Sequence, residues 1–129
     1  MPGSTGKGAG VFADVAKAAG IDSSGPYTGE SYDAAALIVL AMQAGNSADR
    51  ASIAKNVMDV ANAPGTKIYP GELKKGLDLL AKGLDLLAKG KKINYEGATG
   101  VTFTSVGEAE GSFLEQEIKG GKFKTKKQR

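Results

Sequence analysis

The chain has 129 residues, 41% of them hydrophobic, with 17 Lys+Arg against 14 Asp+Glu; that is apolar enough for a packed domain and excludes global disorder. It contains no Cys, His or Trp, which excludes disulfides, thiolate and imidazole metal ligands, cysteine nucleophiles and the commonest general acid or base. The net charge of +3 is unevenly spread: residues 118–129 hold six basic residues and no acid, leaving 11 basic and 14 acidic residues before them, a net −3, which argues against a nucleic-acid-binding face on the body.

The first ten residues are Gly-rich and read as a loop. They lack a charged segment followed by an apolar one, so no signal peptide is expected in this chain. Val11, Phe12, Val15, Ala16 and Ala19 then mark one apolar helical face, stopped by Gly20. After a turn cluster at 22–26, a second helix is expected over residues 31–44. It is apolar nearly all round from Ala34 to Met42, which predicts a helix covered on most sides. That run is too short to span a bilayer, which needs about 20 residues, so no membrane insertion is expected. Ser47 or Asp49 can cap a third helix over residues 50–61.

Pro70 predicts the start of a fourth helix, at the position where its missing N–H would be unpaired anyway. That helix is expected to continue to about Lys89. Residues 101–106 alternate and are β-branched, residues 112–118 form a second candidate strand, and residues 107–111 read as the hairpin connection. Gly120 and Gly121 close the fold, with a solvated, disordered basic tail over 124–129. The expected chain is thus mostly α-helical, four helices followed by a C-terminal β-hairpin. A lone hairpin is marginal in water, so this looks like part of something larger.

Residues 76–82 read GLDLLAK, and residues 83–89 repeat it. Seven residues return a helix to within about 20° of the same face and lengthen it by about 10 Å. Leu73, Leu77, Leu80, Leu84 and Leu87 then fall into a leucine seam. Two readings stay open. The seam packs on its own domain, or it overhangs the fold and recruits a second copy as a homodimer or domain swap. Gly76 and Gly83 each cost the helix about 1 kcal/mol relative to Ala. The repeat is the mark of tandem duplication or engineering.

Several motifs fail on inspection. The stretch from Gly3 to Gly8 resembles a phosphate loop, but Met1 sits where the first Gly belongs and Gly8 follows Lys7. The pairs Glu108/Glu110 and Glu115/Glu117 read as solvated faces rather than catalytic dyads. Glu30 and Asp33 begin the second helix, where carboxylates favour the positive end of the dipole. No catalytic constellation, metal site or cofactor site is expected, and the chain does not read as an enzyme.

The residues Ser24-Gly-Pro-Tyr27-Thr-Gly-Glu-Ser-Tyr32-Asp33, then 59–65, Tyr69-Pro-Gly-Glu72, 93–100, 111–113 and 118–123 resemble, in order, the C-terminal third of periplasmic substrate-binding proteins of the branched-chain amino acid type. That family is α/β, with two Rossmann-like lobes (type I) joined by three crossings. The resemblance implies that residues 1–92 are late helices of the first lobe, 93–100 an interlobe crossing, and 101–123 a hairpin of the second lobe. It implies a small amino-acid-like ligand and an ABC permease as partners of the parent protein, in a periplasmic or extracytoplasmic setting; the charge distribution leads us to expect no nucleic-acid partner. Tyr27 matches the family's cleft-lining aromatic; a turn aromatic packing on the helix is the other reading. Most ligand contacts of the family lie outside the matched part, so full ligand binding is not expected of this chain. It departs from the family pattern at the duplicated heptad and at residues 104–107.

Overall fold

The computed structural model describes residues 6–62, 64–85, 92–110 and 114–128. Within them lie four helices and a few short strands, a mixed α/β arrangement: α1 (Lys7–Ala18), α2 (Thr28–Gly45), α3 (Arg50–Ala61), β1 (Thr66–Ile68), α4 (Leu73–Asp85), β2 (Ile93–Tyr95), β3 (Leu114–Lys119) and β4 (Lys122–Gln128).

The helices end where the backbone chemistry dictates. At the end of α1, Gly20 adopts a left-handed φ of 73°, the Ile21 N–H donates to the Ala16 carbonyl, and the Gly20 N–H donates to that of Lys17. The end of α2 repeats the device with Asn46 in the left-handed region, the Ser47 N–H donating to Met42 and the Asn46 N–H to Gln43. These are Schellman caps, which satisfy carbonyls the last turn would leave bare. Ser47 and Asp49 do not cap α3 with their side chains; the Ser47 Oγ instead accepts the Asp49 N–H.

α1 starts at Lys7, earlier than its glycines suggest. A side chain at buried Gly8 would run into the Gly97 carbonyl, so the glycine lets the first turn of α1 lie against the 97–100 turn. Pro70 does not begin α4. The Glu72 N–H donates to the Tyr69 carbonyl and Gly71 has φ 83°, so Pro70 and Gly71 fill the central positions of a type II turn. The Glu72 carboxylate accepts the Tyr69 N–H, and the helix follows from Leu73.

β1 and β2 pair in parallel, Thr66 opposite Ile93 and Ile68 opposite Tyr95. Parallel strands need a crossover, and α4 supplies it: β1–α4–β2 is a βαβ unit. The core gathers on this unit and α2, with Leu37, Leu40, Ala41, Val60, Ala61, Ile68, Ile93 and Tyr95 buried together. Gly76 belongs here. A Cβ on it would lie 3.0 Å from Leu40 Cδ2 and 3.5 Å from Ile68 Cγ1, so the glycine in the first heptad copy is a close-approach site. The α2 expectation is corrected: Leu37, Leu40 and Ala41 are buried, but Ala34, Ala35, Ile38 and Val39 are exposed. The helix is covered on one side only.

The C-terminal hairpin lies further along than the alternation implied. Residues 101–106 form no strand; Phe103 makes a single antiparallel bridge to Ala109, and the Asn62 side-chain amide accepts from and donates to the Phe103 backbone. The hairpin is β3 with β4, Lys119 opposite Lys122. Its two-residue loop is Gly120-Gly121, with φ 62° and 76°, the positive-φ pair that a type I′ turn requires. Residues 124–128 are therefore strand and not a disordered tail, and the supposed boundary after residue 123 falls inside β4.

Candidate functional site

Three segments meet at the N-terminal ends of α1 and α2: Gly8, the pair Gly29 and Asp33, and the turn 97–100. Asp33 is 3% exposed. Its Oδ1 accepts the Tyr95 hydroxyl at 2.8 Å and the Ala98 N–H at 2.8 Å. Its Oδ2 accepts the Thr99 N–H at 3.0 Å and the Thr99 hydroxyl at 2.6 Å. A carboxylate offers about four lone-pair sites, and four donors occupy them, all neutral. Gly97 sits at φ 62° beneath, where any side chain would strike Asp33 and Tyr95. Burial first, then the Asp33 charge and hydrogen bond, push the Tyr95 phenol far above its ordinary range. With no free lone pair, Asp33 is a clamp between α2 and the 97–100 turn, not a general base.

Beside the clamp, Phe12 and Tyr32 have ring centroids 5.3 Å apart, and the Tyr32 hydroxyl accepts the Gly71 N–H at 3.0 Å. Lys7 Nζ stands 4.4 Å over the Tyr69 ring. These contacts hold α1 and the Pro70 turn on α2.

Tyr27 precedes this junction and differs from every residue in it. It is 59% exposed and has φ 61°, ψ 13°, a left-handed conformation that costs a non-glycine residue about 1–2 kcal/mol. The turn before it is braced from within. The Ser24 N–H donates to Asp22; the Ser24 hydroxyl first, and this N–H second, hold that carboxyl below its usual range, and the Thr28 hydroxyl lies within donating distance of the Ser23 and Gly25 carbonyls. The turn thus forces the backbone at 27 and leaves the ring in water.

Of the seam residues, Leu73, Leu77 and Leu80 are partly buried against the core of their own chain. The Leu84 side chain and Leu87 lie outside the described residues, as does the lead-in before Gly6. Among the described residues no three His, Cys, Asp or Glu are grouped to hold a metal ion, and no helix is long and apolar enough to cross a membrane. No protein-family model, curated protein or solved structure matches the chain.

In the sequence Asp33 reads only as a carboxylate at the positive end of the α2 dipole; the clamp is a finding of the structure. The signal was a single carboxylate at the mouth of a nine-residue apolar run, a position that burial makes costly unless donors converge on it.

Proposed function

We propose that the chain is a piece of a two-lobed solute-binding protein serving ABC-type import, with Tyr27 as a ligand-facing aromatic. The observation that carries this reading is the strained, solvent-facing backbone at Tyr27. Strain of this kind persists only where surrounding structure imposes it, and it concentrates at binding and catalytic positions. An exposed ring on a braced turn offers a flat apolar wall to an amino acid or similar small polar solute, and no chemistry. The βαβ unit supports the α/β parent architecture, with residues 1–92 in the first lobe, 93–100 as a crossing and the hairpin in the second. The rest of the ligand shell, the permease contact and the extracytoplasmic setting belong to the parent protein.

The test uses the chain itself. Calorimetric titration with a panel of amino acids gives no micromolar binding, because one wall does not make a site. Saturation-transfer NMR with the same panel shows weak contact at the Tyr27 ring. Tyr27→Gly removes that contact and raises stability by about 1 kcal/mol, because glycine adopts φ near +60° freely. Micromolar binding overturns the incomplete-site reading. A Tyr27 ring that no solute touches, or a Tyr27→Gly variant that is less stable, overturns the ligand-facing one.

A further inference from the structure

The βαβ unit holds more chain than it uses. Leu73, Leu77, Leu79 and Leu80 of α4 pack on the core, and Gly76 lies where a Cβ would come 3.0 Å from Leu40 Cδ2. Four residues, 69–72, join β1 to Leu73, and twelve, 81–92, separate Leu80 from Ile93 of β2. Connections of about two to six residues are usual in such units. Taking one heptad from the second span leaves five residues, so the surplus on the β2 side equals the repeat.

The sequence also supplies a second occupant for the same seat. Residues 80–89 repeat residues 73–82 at nine of ten positions, the exception being Ala81 for Lys74. Sliding α4 by seven residues brings Leu80, Gly83, Leu84, Leu86 and Leu87 to the places of Leu73, Gly76, Leu77, Leu79 and Leu80. Each of these is replaced by its own kind, on nearly the same helix face. A slide of three or four residues fails, because Leu79 or Leu80 would then take the place of Gly76 beside Leu40. The seven-residue slide gives up the Lys74–Asp78 ion pair, which is solvent-exposed and so of small worth, and the contacts of Glu72 with Gly76 and Lys75. It shortens the span before β2 to five residues, 88–92, and lengthens the span after β1 to eleven, 69–79.

We propose that α4 is a two-register element, seated through either copy of the heptad. The two arrangements are discrete, as alternative packings of one core are, and lie about 10 Å apart along the helix axis. The slide couples the two ends of the unit. Chain released at the approach to β2 is taken up at the Pro70 turn, whose Gly71 N–H donates to the Tyr32 hydroxyl. A factor that favours slack at one end draws it from the other.

Leucine substitutions in the full chain test this. Gly76→Leu bars the first copy from the seat, and Gly83→Leu bars the second. Each single variant keeps the helical circular dichroism signal of the unaltered chain and loses little in thermal midpoint. The double variant has no admissible copy, and its midpoint falls by at least about three times the two single losses added, a failure of additivity that independent sites do not show. Amide hydrogen exchange followed by NMR reads the register itself. In the unaltered chain and in Gly83→Leu the most protected amides of α4 lie at 77–80; in Gly76→Leu they lie at 84–87. The proposal is overturned if Gly76→Leu is as damaging as the double variant, if the double variant falls no further than the single losses added, or if protection stays at 77–80 in Gly76→Leu.

Discussion

Asp33 is an aspartate with no ion-pair partner among the described residues, held by two backbone N–H groups and two hydroxyls. Losing one partner of a buried carboxylate costs about 1–3 kcal/mol. Tyr95 gives this a pH signature. Its phenol ionises far less readily in the folded chain than in the unfolded chain, where the ordinary value is about 10. A raised folded-state value means that the contribution is whole below that pH and declines as pH rises beyond it. Denaturant midpoints measured from pH 8 to pH 11 therefore fall on the alkaline side. Tyr95→Phe, less stable at pH 8, shows a shallower fall. Equal slopes in the two proteins would mean that the phenol is not linked to folding.

At the scale of elements, close backbone approach decides more than propensity does. Gly8→Ala improves the intrinsic helix preference of α1 by about 1 kcal/mol, yet its methyl meets the Gly97 carbonyl, backbone that cannot step aside. We expect net destabilisation of about 1–3 kcal/mol, the usual range for overpacking, read as a lowered thermal midpoint. A stabilised Gly8→Ala would show that α1 is not docked there. The same competition explains which elements were legible. α3 matched its expected bounds of 50–61 because its start and stop are local. The bounds of α2 were nearly legible for the same reason. β1 was invisible: three residues, Thr66 to Ile68, owe their strand state to Ile93–Tyr95, reached only through α4. The hairpin was placed too early because residues 101–106 alternate, whereas the positive-φ pair Gly120-Gly121 makes the actual turn. Tyr27 stands out in the sequence only through the resemblance of the segment around it. The Asp33 clamp depends on donors 62 to 66 residues away and was not legible.

For the whole molecule, the duplicated heptad matters less to association than its sequence suggests. The first copy contributes Gly76, Leu77 and Leu80 to the chain's own interior, and Leu73 joins them. Deleting residues 83–89 should leave the mass measured by light scattering unchanged at every concentration, since the leucines of the first copy already pack on the chain's own core. A deletion that abolishes association would return the role to Leu84 and Leu87. The formal charge of +3 also describes no surface of this protein. It is the remainder of an acidic body and a basic strand, and each part meets its surroundings separately.

The clamp also has a consequence in time. Asp33 precedes its donors by 62 to 66 residues. During vectorial synthesis α1, α2 and α3 leave the ribosome with that carboxylate unanswered, and burying it then would cost several kcal/mol. The early helices must stay hydrated until residues 95–99 have been made. The interior then closes in one late event over a long loop, the kind of topology that folds slowly, and nascent chains halted before Tyr95 should remain open to protease however long they wait.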